Sequence, residues 1–367
     1  MNSLGFNKDC RDTKVVVAMS GGVDSSVAAV MLKKEGYDVT GMTMNLYQQT
    51  SVKSNKSCCA GRDIADAKEV ANKFNIPHII LNYQDKFFNG VIDNFIETYA
   101  EGKTPVPCIQ CNQTVKFTDL LNEAKKMNAD TLVTGHYVRR VGGETNAKLF
   151  KAKDNFKDQS YFLFATLKEQ LDYVRFPLGD YLKSEIREMA KIFSLKVSDK
   201  PDSQDICFVT SNSYRDLINK LKPELNIEGD FVDPEGNILG KHKGITNYTI
   251  GQRKGIGIGG REYPLYVINI DKKKNKITLG GQSFLKKNVI ILENINWLDD
   301  NIPKKNLKCF AKIRSTQKET SGTLNIKSNS GEFIFDSQIN TTSPGQACVF
   351  YLNNQVLGGG WITKNNN

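Results

Sequence analysis

Two cysteines in the stretch TPVPCIQCN have the spacing of a chemically active pair. Cys108 and Cys111 are separated by two residues and follow a segment stiffened by prolines. A pair of this kind serves as half of a zinc site, as a redox disulfide, as part of an iron–sulfur site, or as a pair that holds one catalytic thiolate. The spacing alone does not decide among these four uses, so the rest of the chain has to.

A second chemical pattern lies near the start of the chain, where the apolar run VVVAM leads into SGGVDS and then into a helical stretch. Gly21 and Gly22 let backbone N–H groups approach an anion, and the hydroxyls of Ser20 and Ser25 add donors. The N-terminus of the following helix supplies partial positive charge. The stretch lacks the Gly-Lys-Ser/Thr ending of the common P-loop, which argues against γ-phosphate transfer. It therefore predicts a phosphate-binding loop rather than a structural glycine turn.

These residues need a scaffold, and the first half of the chain alternates strand and helix patterns. The alternation predicts an α/β fold with a parallel sheet and helices on its faces. The predicted strands cover residues 14–19, 37–46, 76–81 and 131–134. Apolar residues at helical spacing from Phe87 to Tyr99 are predicted to be core. Gly135 and His136 follow the last of these strands, at the kind of strand end where open α/β sheets bind ligands.

The second half of the chain has a different pattern. From about residue 213 it is glycine-rich and basic (GKHKGITNYTIGQRKGIGIGG), and from about residue 288 it consists of short strand patterns separated by turn residues. The short strands predict a small β-barrel or sandwich. We therefore predict three domains: an α/β domain over residues 1–212, a small central domain over residues 213–285, and a C-terminal β-barrel over residues 286–367.

The composition is that of an ordinary soluble protein, with 39% hydrophobic and 25% charged residues among 367. There is no apolar leader and no uncharged run near the roughly 20 residues that span a bilayer, so we expect a cytoplasmic protein without a membrane partner. The net charge of +10 favours a polyanionic partner, although a genome biased towards Lys would also raise it. Eight scattered cysteines do not form the framework of a secreted disulfide-rich protein.

The phosphate loop resembles the pyrophosphatase-type (PP) loop of enzymes that cleave ATP between the α- and β-phosphates and adenylate an oxygen of their substrate. That class includes GMP synthetase, argininosuccinate synthetase, tRNA lysidine synthetase and the tRNA thiolases. Seven stretches occur in the order found in one family: SGGVDSSVAA, TPVPCIQCNQTVKF, TGHYVRR, KDQSYFL, DSQDICF, IGQRKGIGIGG and SPGQACVFY. Over nearly the whole chain they resemble the bacterial tRNA-specific 2-thiouridylases, which put sulfur on C2 of the wobble uridine in lysine, glutamate and glutamine tRNAs.

The resemblance implies roles for individual residues. Cys207 would carry the incoming sulfur as a persulfide, and Cys111 would be the nucleophile that forms a disulfide with it. The residues implied in ATP binding are Ala18, Met19, Ser20, Gly21, Gly22, Val23, Asp24, Ser25, Met44 and Gly135. The residues implied in tRNA binding are His136, Lys157, Asp158, Gln159, Arg314 and Gln346.

The resemblance also implies partners and cofactors. The first domain would bind ATP with Mg²⁺ and catalyse adenylation of uridine O2. The basic central domain and the barrel would contact the anticodon stem-loop of tRNA. A sulfur-donor protein, either a cysteine desulfurase or a sulfur relay protein, would supply the sulfur.

The chain departs from the family pattern at Cys108, where many relatives have Asp, and at Val106, where they have Asn. An Asp can hydrogen-bond the target base or orient the nucleophile, which a thiol does poorly, so the role of Cys108 is open. In a rival mechanism Cys108, Cys111 and Cys207 bind three irons of a [4Fe–4S] cluster whose fourth iron delivers sulfide. Two other classes are also considered: a small-molecule adenylating ligase or amidotransferase, and a non-catalytic tRNA-binding or redox-sensing protein.

The remaining cysteines and histidines are assigned little chemistry. Cys58 and Cys59 stand in a polar loop, where they would contact the sulfur donor, bind a metal or be spectators. His78 lies in an apolar strand pattern and is interpreted as a core histidine. Because none of the three histidines is spaced with the cysteines, no zinc-finger site is predicted and no metal site is assigned.

Overall fold

The computed structural model describes residues 1–46, 61–202, 206–209, 213–260, 263–300, 306–340 and 342–364. Cys58 and Cys59 lie outside the described residues, so their predicted roles stay predictions. Within these ranges the strands form three sheets of five, four and eight strands. Within the described ranges, no helix has both the length and the apolar character needed to span a bilayer.

The strands are numbered along the chain. They are β1 Lys14–Ala18, β2 Asp38–Asn45, β3 His78–Asn82, β4 Thr131–Val133, β5 Val138–Val141, β6 Lys148–Lys151, β7 Val174–Arg175, β8 Gly229–Val232, β9 Ile238–His242, β10 Tyr266–Asp271, β11 Lys276–Gly280, β12 Lys286–Trp297, β13 Leu307–Lys312, β14 Thr320–Lys327, β15 Ser330–Asn340, β16 Ala347–Leu352 and β17 Gln355–Ile362.

The helices are numbered in the same way. The α-helices are α1 Val23–Lys34, α2 Gly61–Lys73, α3 Gln84–Phe87, α4 Asp93–Ala100, α5 Pro107–Cys111, α6 Leu121–Lys126, α7 Lys168–Tyr173, α8 Lys183–Ile192 and α9 Tyr214–Leu221. Two π-helical segments cover Phe88–Ile92 and Asn112–Leu120. Short 3-10 helices cover Cys10–Asp12, Ser160–Leu163, Lys196–Asp199, Pro223–Leu225, Ile245–Asn247 and Gln282–Leu285.

The first sheet is parallel and has the order β3-β2-β1-β4-β7. The β-branched run of β1 is buried at its centre, as expected for a strand covered on both faces. The chain turns from β1 to β2 on one side and reaches β4 on the other, and Val17 of β1 pairs with Val133 of β4. The segments that follow β1 and β4 therefore leave the same edge side by side, where open α/β sheets bind ligands. The predicted α/β class is confirmed.

The helix patterns predicted from the sequence also form, with one difference. Phe87, Phe95 and Tyr99 are buried in the core as predicted, whereas Phe88 is 38% exposed. The helical path changes to π-helix between α3 and α4 and again between α5 and α6. Periodicity did not predict these π segments, because one inserted residue shifts the apolar positions too little to separate them from an α-helix.

The C-terminal strands close into a six-stranded barrel in the order β12-β15-β14-β13-β16-β17, because β12 also pairs with β17. The predicted barrel is confirmed. A hairpin of β5 and β6, which lies in the first half of the chain, extends the same sheet through the pairing of Val356 with Leu149. The four-stranded sheet β10-β11-β8-β9 is formed by the part of the chain between the parallel sheet and the barrel. The predicted domain boundaries stay predictions.

Candidate functional site

The phosphate loop runs from the end of β1 to the start of α1. The Ser20 N–H donates to Oγ of Ser25 at 3.0 Å, and the two serine hydroxyls lie 3.2 Å apart, which closes the loop over the first turn of the helix. Gly21 has a φ of +74°, and a Cβ at this position would lie 2.0 Å from the carbonyl oxygen of Asp63. The loop therefore requires glycine at position 21, both for its backbone conformation and for the close approach of α2.

Gly135 completes this edge from the neighbouring strand. A Cβ on Gly135 would lie 2.9 Å from the Ser25 nitrogen, so the segment after β4 lies against the start of α1. Met44 stands near the end of β2 and packs against the hydrophobic cluster that contains Cys111. The structure thus brings the loop and Gly135 together, and it places Met44 beside the cysteine region.

Charged and hydrogen-bonding side chains surround Asp24, which lies in the first turn of α1. Nζ of Lys183 lies 2.6 and 2.7 Å from the two Asp24 carboxylate oxygens, and the Tyr137 hydroxyl donates to Asp24 at 2.7 Å. Lys183 also lies 3.0 Å from Asp202, which pairs with Lys157 at 2.7 Å. Burial raises the pKa of Asp202, but hydrogen bonds from Lys157 and Lys183 outweigh burial and lower it to about 2.

A second cation braces the other side of the loop. Nζ of Lys200 donates to the carbonyl oxygen of Gly21 at 2.9 Å and lies 2.6 Å from the carboxylates of Asp63 and Asp66. Burial lowers the pKa of Lys200, but its hydrogen bonds to the two carboxylates outweigh burial and raise it. Two ammonium groups, Lys183 and Lys200, therefore lie at the loop, where an incoming polyphosphate would need positive charge.

The two cysteines assigned to sulfur chemistry meet in one cluster. Cys111 ends α5 and is buried in a hydrophobic cluster with Phe87, Phe95 and Phe208, and the partly buried Cys207 packs against it. Phe208 anchors this segment by edge-on ring contacts with Phe87 at 5.9 Å and with Phe95 at 5.2 Å. Burial raises the pKa of the Cys111 thiol, and the charge of Lys116 opposes that shift.

Cys108 differs from Cys111 in its surroundings, since it is exposed on the first turn of α5. The segment before it is held by the barrel. Nε2 of Gln346 donates to the carbonyls of Thr104 at 3.2 Å and Pro105 at 3.4 Å, and the Thr104 N–H donates to the Pro344 carbonyl at 2.8 Å. The prolines at positions 105 and 107 therefore lead into a helix whose start is fixed by another part of the chain.

In this structure, the side chains implied in tRNA binding form hydrogen bonds or ion pairs with other residues of the protein. Burial lowers the pKa of His136 well below its usual range, with Lys116 acting in the same direction, and its Nδ1 lies 2.7 Å from Oγ1 of Thr134. The Asp158 carboxylate is 3% exposed, accepts from the Ser160 hydroxyl at 2.8 Å and lies 3.5 Å from Lys312.

The remaining residues of that set lie on loops of the first half and of the barrel. Oε1 of Gln159 accepts from the Tyr137 N–H at 2.9 Å. Arg314 follows β13, and its Nε donates to the Thr342 hydroxyl at 3.3 Å. The tRNA-binding assignments stay predictions.

The described residues include no group of three His, Cys, Asp or Glu side chains close enough together to hold a metal ion. Among the described residues, Cys108, Cys111 and Cys207 therefore do not form a cluster-binding triad in this conformation, and the [4Fe–4S] mechanism stays a prediction. The carboxylate of Asp24 in the first turn of α1 suits Mg²⁺, which takes most of its ligands from phosphates and water. When bound with a nucleotide, Mg²⁺ would neutralise charge on the phosphates.

Several residues of the site were not predicted from the sequence. They are Lys116, Tyr137, Lys183, Lys200 and Asp202. Lys116 and Tyr137 lie inside the motifs TPVPCIQCNQTVKF and TGHYVRR, so the motifs were a signal for both. Lys183 and Lys200 reach the loop only through folding, and nothing in their local sequence indicates it.

Three successive parts of the chain match models of known protein families. Family models match the chain as the tRNA methyl transferase HUP domain over residues 13–211, the tRNA methyl transferase PRC-barrel domain over residues 215–281 and the aminomethyltransferase beta-barrel domain over residues 287–362. The fold and loop thus define a protein with an N-terminal HUP domain followed by two barrel-type domains.

Relatives of nearly the same length narrow this class. The tRNA-specific 2-thiouridylase MnmA of Orientia tsutsugamushi (strain Boryong) is 52% identical over 353 residues, which cover 95% of each chain. The protein of the same name from Rickettsia prowazekii (strain Madrid E) is 50% identical, over 96% of this chain and 99% of that one. The one from Rhodospirillum centenum is 46% identical, over 99% of this chain and 95% of that one. The chain belongs to the tRNA-specific 2-thiouridylase family, which confirms the resemblance seen in its motifs.

Proposed function

We propose that this protein is an ATP-dependent tRNA-uridine 2-sulfurtransferase that thiolates C2 of the wobble uridine in lysine, glutamate and glutamine tRNAs. The observation that carries the proposal is the meeting of Cys111 and Cys207 in one cluster, against which Met44 of β2 also packs. This packing supports a reaction in which sulfur chemistry and nucleotide chemistry occur at the same edge of the sheet.

The first step is adenylation, because O2 of uridine is a poor leaving group. O2 attacks the α-phosphorus of ATP, the proton on N3 of the base is released, and pyrophosphate leaves towards the loop formed by Ser20, Gly21, Gly22 and Ser25. Backbone N–H groups, the start of α1 and the ammonium groups of Lys183 and Lys200 stabilise the leaving charge. Adenylation therefore converts O2 into a good leaving group, which departs as part of AMP in the next step.

The second step is sulfur transfer. A donor protein loads Cys207 with a persulfide, and the Cys111 thiolate attacks the Cys207 Sγ. A Cys111–Cys207 disulfide forms, the persulfide S–S bond breaks, and hydrosulfide leaves with the electron pair. The hydrosulfide adds to C2, AMP departs, and the proton from sulfur passes to N3 of the base. A thiol reductant must then reduce the disulfide before the next turnover.

The substrate reaches this site from a single-stranded loop, so the wobble base can be turned out of its stack at modest cost. Basic residues of the central region and of the barrel suit the phosphates of an anticodon stem, and contacts of that kind set position rather than sequence. We assign tRNA contact to His136, Lys157, Gln159, Arg314 and Gln346, and assign to Asp158 the task of holding the adjoining loop.

Thiolation is preferred to the methyl transfer named in two of the family descriptions, because methyl transfer makes no use of a paired thiolate and persulfide. Thiolation is preferred to a small-molecule ligase for the same reason.

The test is to incubate the protein with bulk tRNA, ATP and a ³⁵S-labelled persulfide donor and to analyse the nucleosides. We expect label in 2-thiouridine derivatives only when ATP is present; ATP-independent label, or none, would overturn the proposal.

A further inference from the structure

Phe156 is an aromatic residue whose ring lies almost wholly in solvent, and no part of the reaction described above uses it. Its side chain is 99% exposed, more than that of any other large hydrophobic residue in the described part of the chain, where Met1 comes next at 87%. Such a ring contributes almost nothing to packing, because hydrophobic stabilisation scales with the apolar area removed from water. The ring is therefore available to a molecule outside the protein.

The turn that carries Phe156 is held in place by Asp154. One carboxylate oxygen of Asp154 accepts from the Phe156 N–H at 3.0 Å and from the Lys157 N–H at 3.3 Å. The Lys157 N–H also donates to the Asp154 carbonyl at 3.2 Å. An aspartate that bonds the backbone two residues further on closes a turn of this kind. The ring thus projects from backbone that is already ordered, which lowers the entropy lost when a ligand covers it.

The same carboxylate ties the turn to the phosphate loop. The other oxygen of Asp154 accepts from the Lys183 N–H at 3.0 Å, and the Lys183 ammonium group lies 2.6 Å from Asp24. A single lysine side chain therefore spans the gap between the turn of Phe156 and the first turn of α1. That gap is short on the scale of an anticodon loop, so a loop whose wobble uridine lies at the nucleotide would bring the neighbouring unpaired bases close to the ring.

The charge around Phe156 favours RNA as the molecule that covers it. In the sequence KAKDNFKDQ, the exposed Lys153 and the partly exposed Lys157 lie on either side of the ring. The Asp154 carboxylate accepts backbone N–H groups, and the Asp158 carboxylate is almost fully buried. The lysines therefore dominate the charge that this turn presents to solvent, and they attract a polyanion.

The residues next to Phe156 in the chain also argue against a protein partner. Asn155 and Lys157 are polar or charged, so on this turn the ring does not continue into a larger apolar patch of the kind that docks proteins. An aromatic ring beside cations is instead the combination that binds single-stranded nucleic acid, where the ring stacks on a base and the cations attract phosphates.

We propose that Phe156 stacks on the unpaired base next to the wobble uridine and holds the anticodon loop in place while the uridine enters the site. A uridine that is turned out of its stack leaves its neighbour with one face uncovered, and the ring covers that face. Stacking tolerates any base, so this contact does not discriminate among the tRNAs. This inference rests on the proposed function and adds to it a residue that binds the substrate beside the target.

Three substitutions separate stacking from simple apolar contact. Phe156→Ala removes the ring, Phe156→Leu keeps an apolar side chain without a flat face, and Phe156→Trp keeps a flat face. We expect the Kd for an anticodon stem-loop to rise about tenfold in the alanine and leucine variants, the scale of one base stack, and to stay within about twofold in the tryptophan variant. At saturating RNA, kcat should change by less than about twofold in all three, because the ring does not touch the reacting atoms.

Phe156→Trp also supplies a direct signal of stacking. The chain has two other tryptophans, Trp297 and Trp361, so the wild type provides the background. We expect the stem-loop to quench the tryptophan fluorescence of Phe156→Trp more than that of the wild type, because a base stacked on the indole ring quenches its emission. A stem-loop with an abasic site on one side of the wobble uridine, tested at the 5′ and the 3′ position in turn, should lose the additional quenching at one of the two.

The control is Ile192→Ala, which removes another exposed apolar side chain, 77% exposed at the end of α8, and should leave RNA affinity unchanged. Thermal unfolding checks that each variant is folded, as expected for substitutions of an exposed side chain.

Unchanged RNA affinity in Phe156→Ala, full affinity in Phe156→Leu, or additional quenching that survives both abasic sites would overturn the stacking role. Slower sulfur transfer from the donor protein with unchanged RNA affinity would also overturn it, by assigning the ring to the donor. Affinity and fluorescence are measured without turnover, so they test Phe156 separately from the proposed function, which fails only if the wild type does not thiolate.

Discussion

The Lys183 ammonium group lies 2.6 and 2.7 Å from the two carboxylate oxygens of Asp24, joining the start of α8 to the first turn of α1. The pair is placed at the mouth of the phosphate loop, and the Tyr137 hydroxyl donates to the same carboxylate. Asp24 thereby holds a cation beside the loop. Lys183 in turn orients the carboxylate.

Replacement of Asp24 by Asn should impair adenylation before it impairs tRNA binding. The amide keeps the size of the side chain but no longer holds Lys183 as an ion pair. We expect pyrophosphate release in the presence of tRNA to fall by about tenfold or more, with tRNA affinity within about twofold of the wild type. Asp12→Asn, an exposed aspartate away from the loop, is the matched control. Normal pyrophosphate release from Asp24→Asn would contradict the role given to the loop.

Cys111→Ala and Cys207→Ala should each abolish thiolation. Both variants keep the loop and the basic surfaces, so adenylation and tRNA binding should stay within about twofold of the wild type. Nucleoside analysis measures the first property, and pyrophosphate release and filter binding measure the others. Cys10→Ser is the control, since Cys10 lies in a 3-10 helix before β1. Retained thiolation in either alanine variant refutes the assigned roles.

Gly21→Ala should lose stability and activity together. The φ of +74° disfavours a side chain, and the added Cβ would lie 2.0 Å from the Asp63 carbonyl oxygen. We expect a loss of about 1–3 kcal/mol in the free energy of unfolding, measured by urea denaturation, and a weaker affinity for ATP. Gly143→Ala is the control, because a Cβ there meets nothing within 4 Å. Equal stability of the two variants would show that α2 does not press on the loop.

Gln346→Glu should destabilise the protein even without tRNA. The amide donates to the carbonyls of Thr104 and Pro105, and a carboxylate would place negative charge against both. The expected loss is about 1–2 kcal/mol in the free energy of unfolding, together with a slower sulfur-transfer step. The exposed Gln282 gives the control variant Gln282→Glu. Unchanged stability combined with weaker tRNA binding would instead assign Gln346 to tRNA contact alone.

The contribution of Asp202 to stability should depend on pH. Its pKa is lowered to about 2 in the folded protein, from 3.8, so the folded state favours the ionised form. The stabilisation is therefore complete above about pH 5 and is lost as the pH falls through 3.8 towards 2. The difference in unfolding free energy between the wild type and Asp202→Asn should be constant from pH 5 to 7 and should shrink below pH 4. A difference that is the same at pH 3 and pH 7 would contradict this.

The parts of the site that depend on neighbouring residues were predictable from the sequence. Gly21 and Gly22 between a β-branched strand and a helix predict a phosphate loop because that signal is local. The pairing of Lys200 with Asp63 and that of Lys183 with Asp24 join distant segments, and no periodicity reports them. Cys207 was predicted only in part. Its motif indicated sulfur chemistry through the family resemblance, but its packing against the cluster of Cys111 is a property of the fold.

The hairpin of β5 and β6 also escaped prediction, because its strands are only four residues each. Part of the motif TGHYVRR forms β5, so a segment that begins beside the loop at Gly135 ends as a strand of the barrel sheet. Sequence position suggested that it belonged to the first domain alone. Strand pairing overrides sequence position here, since β17 satisfies its backbone groups with β6.

The hairpin of β5 and β6 limits which parts of the protein can be expressed separately. A barrel expressed from residue 286 onwards would lack β6, and the edge of β17 around Val356 would be left with unpaired N–H and C=O groups. Exposed edges of that kind recruit strands from other molecules and promote aggregation. The barrel is therefore not an exchangeable module: transplanting it into another protein, or studying it alone, requires residues 138–151 to travel with it.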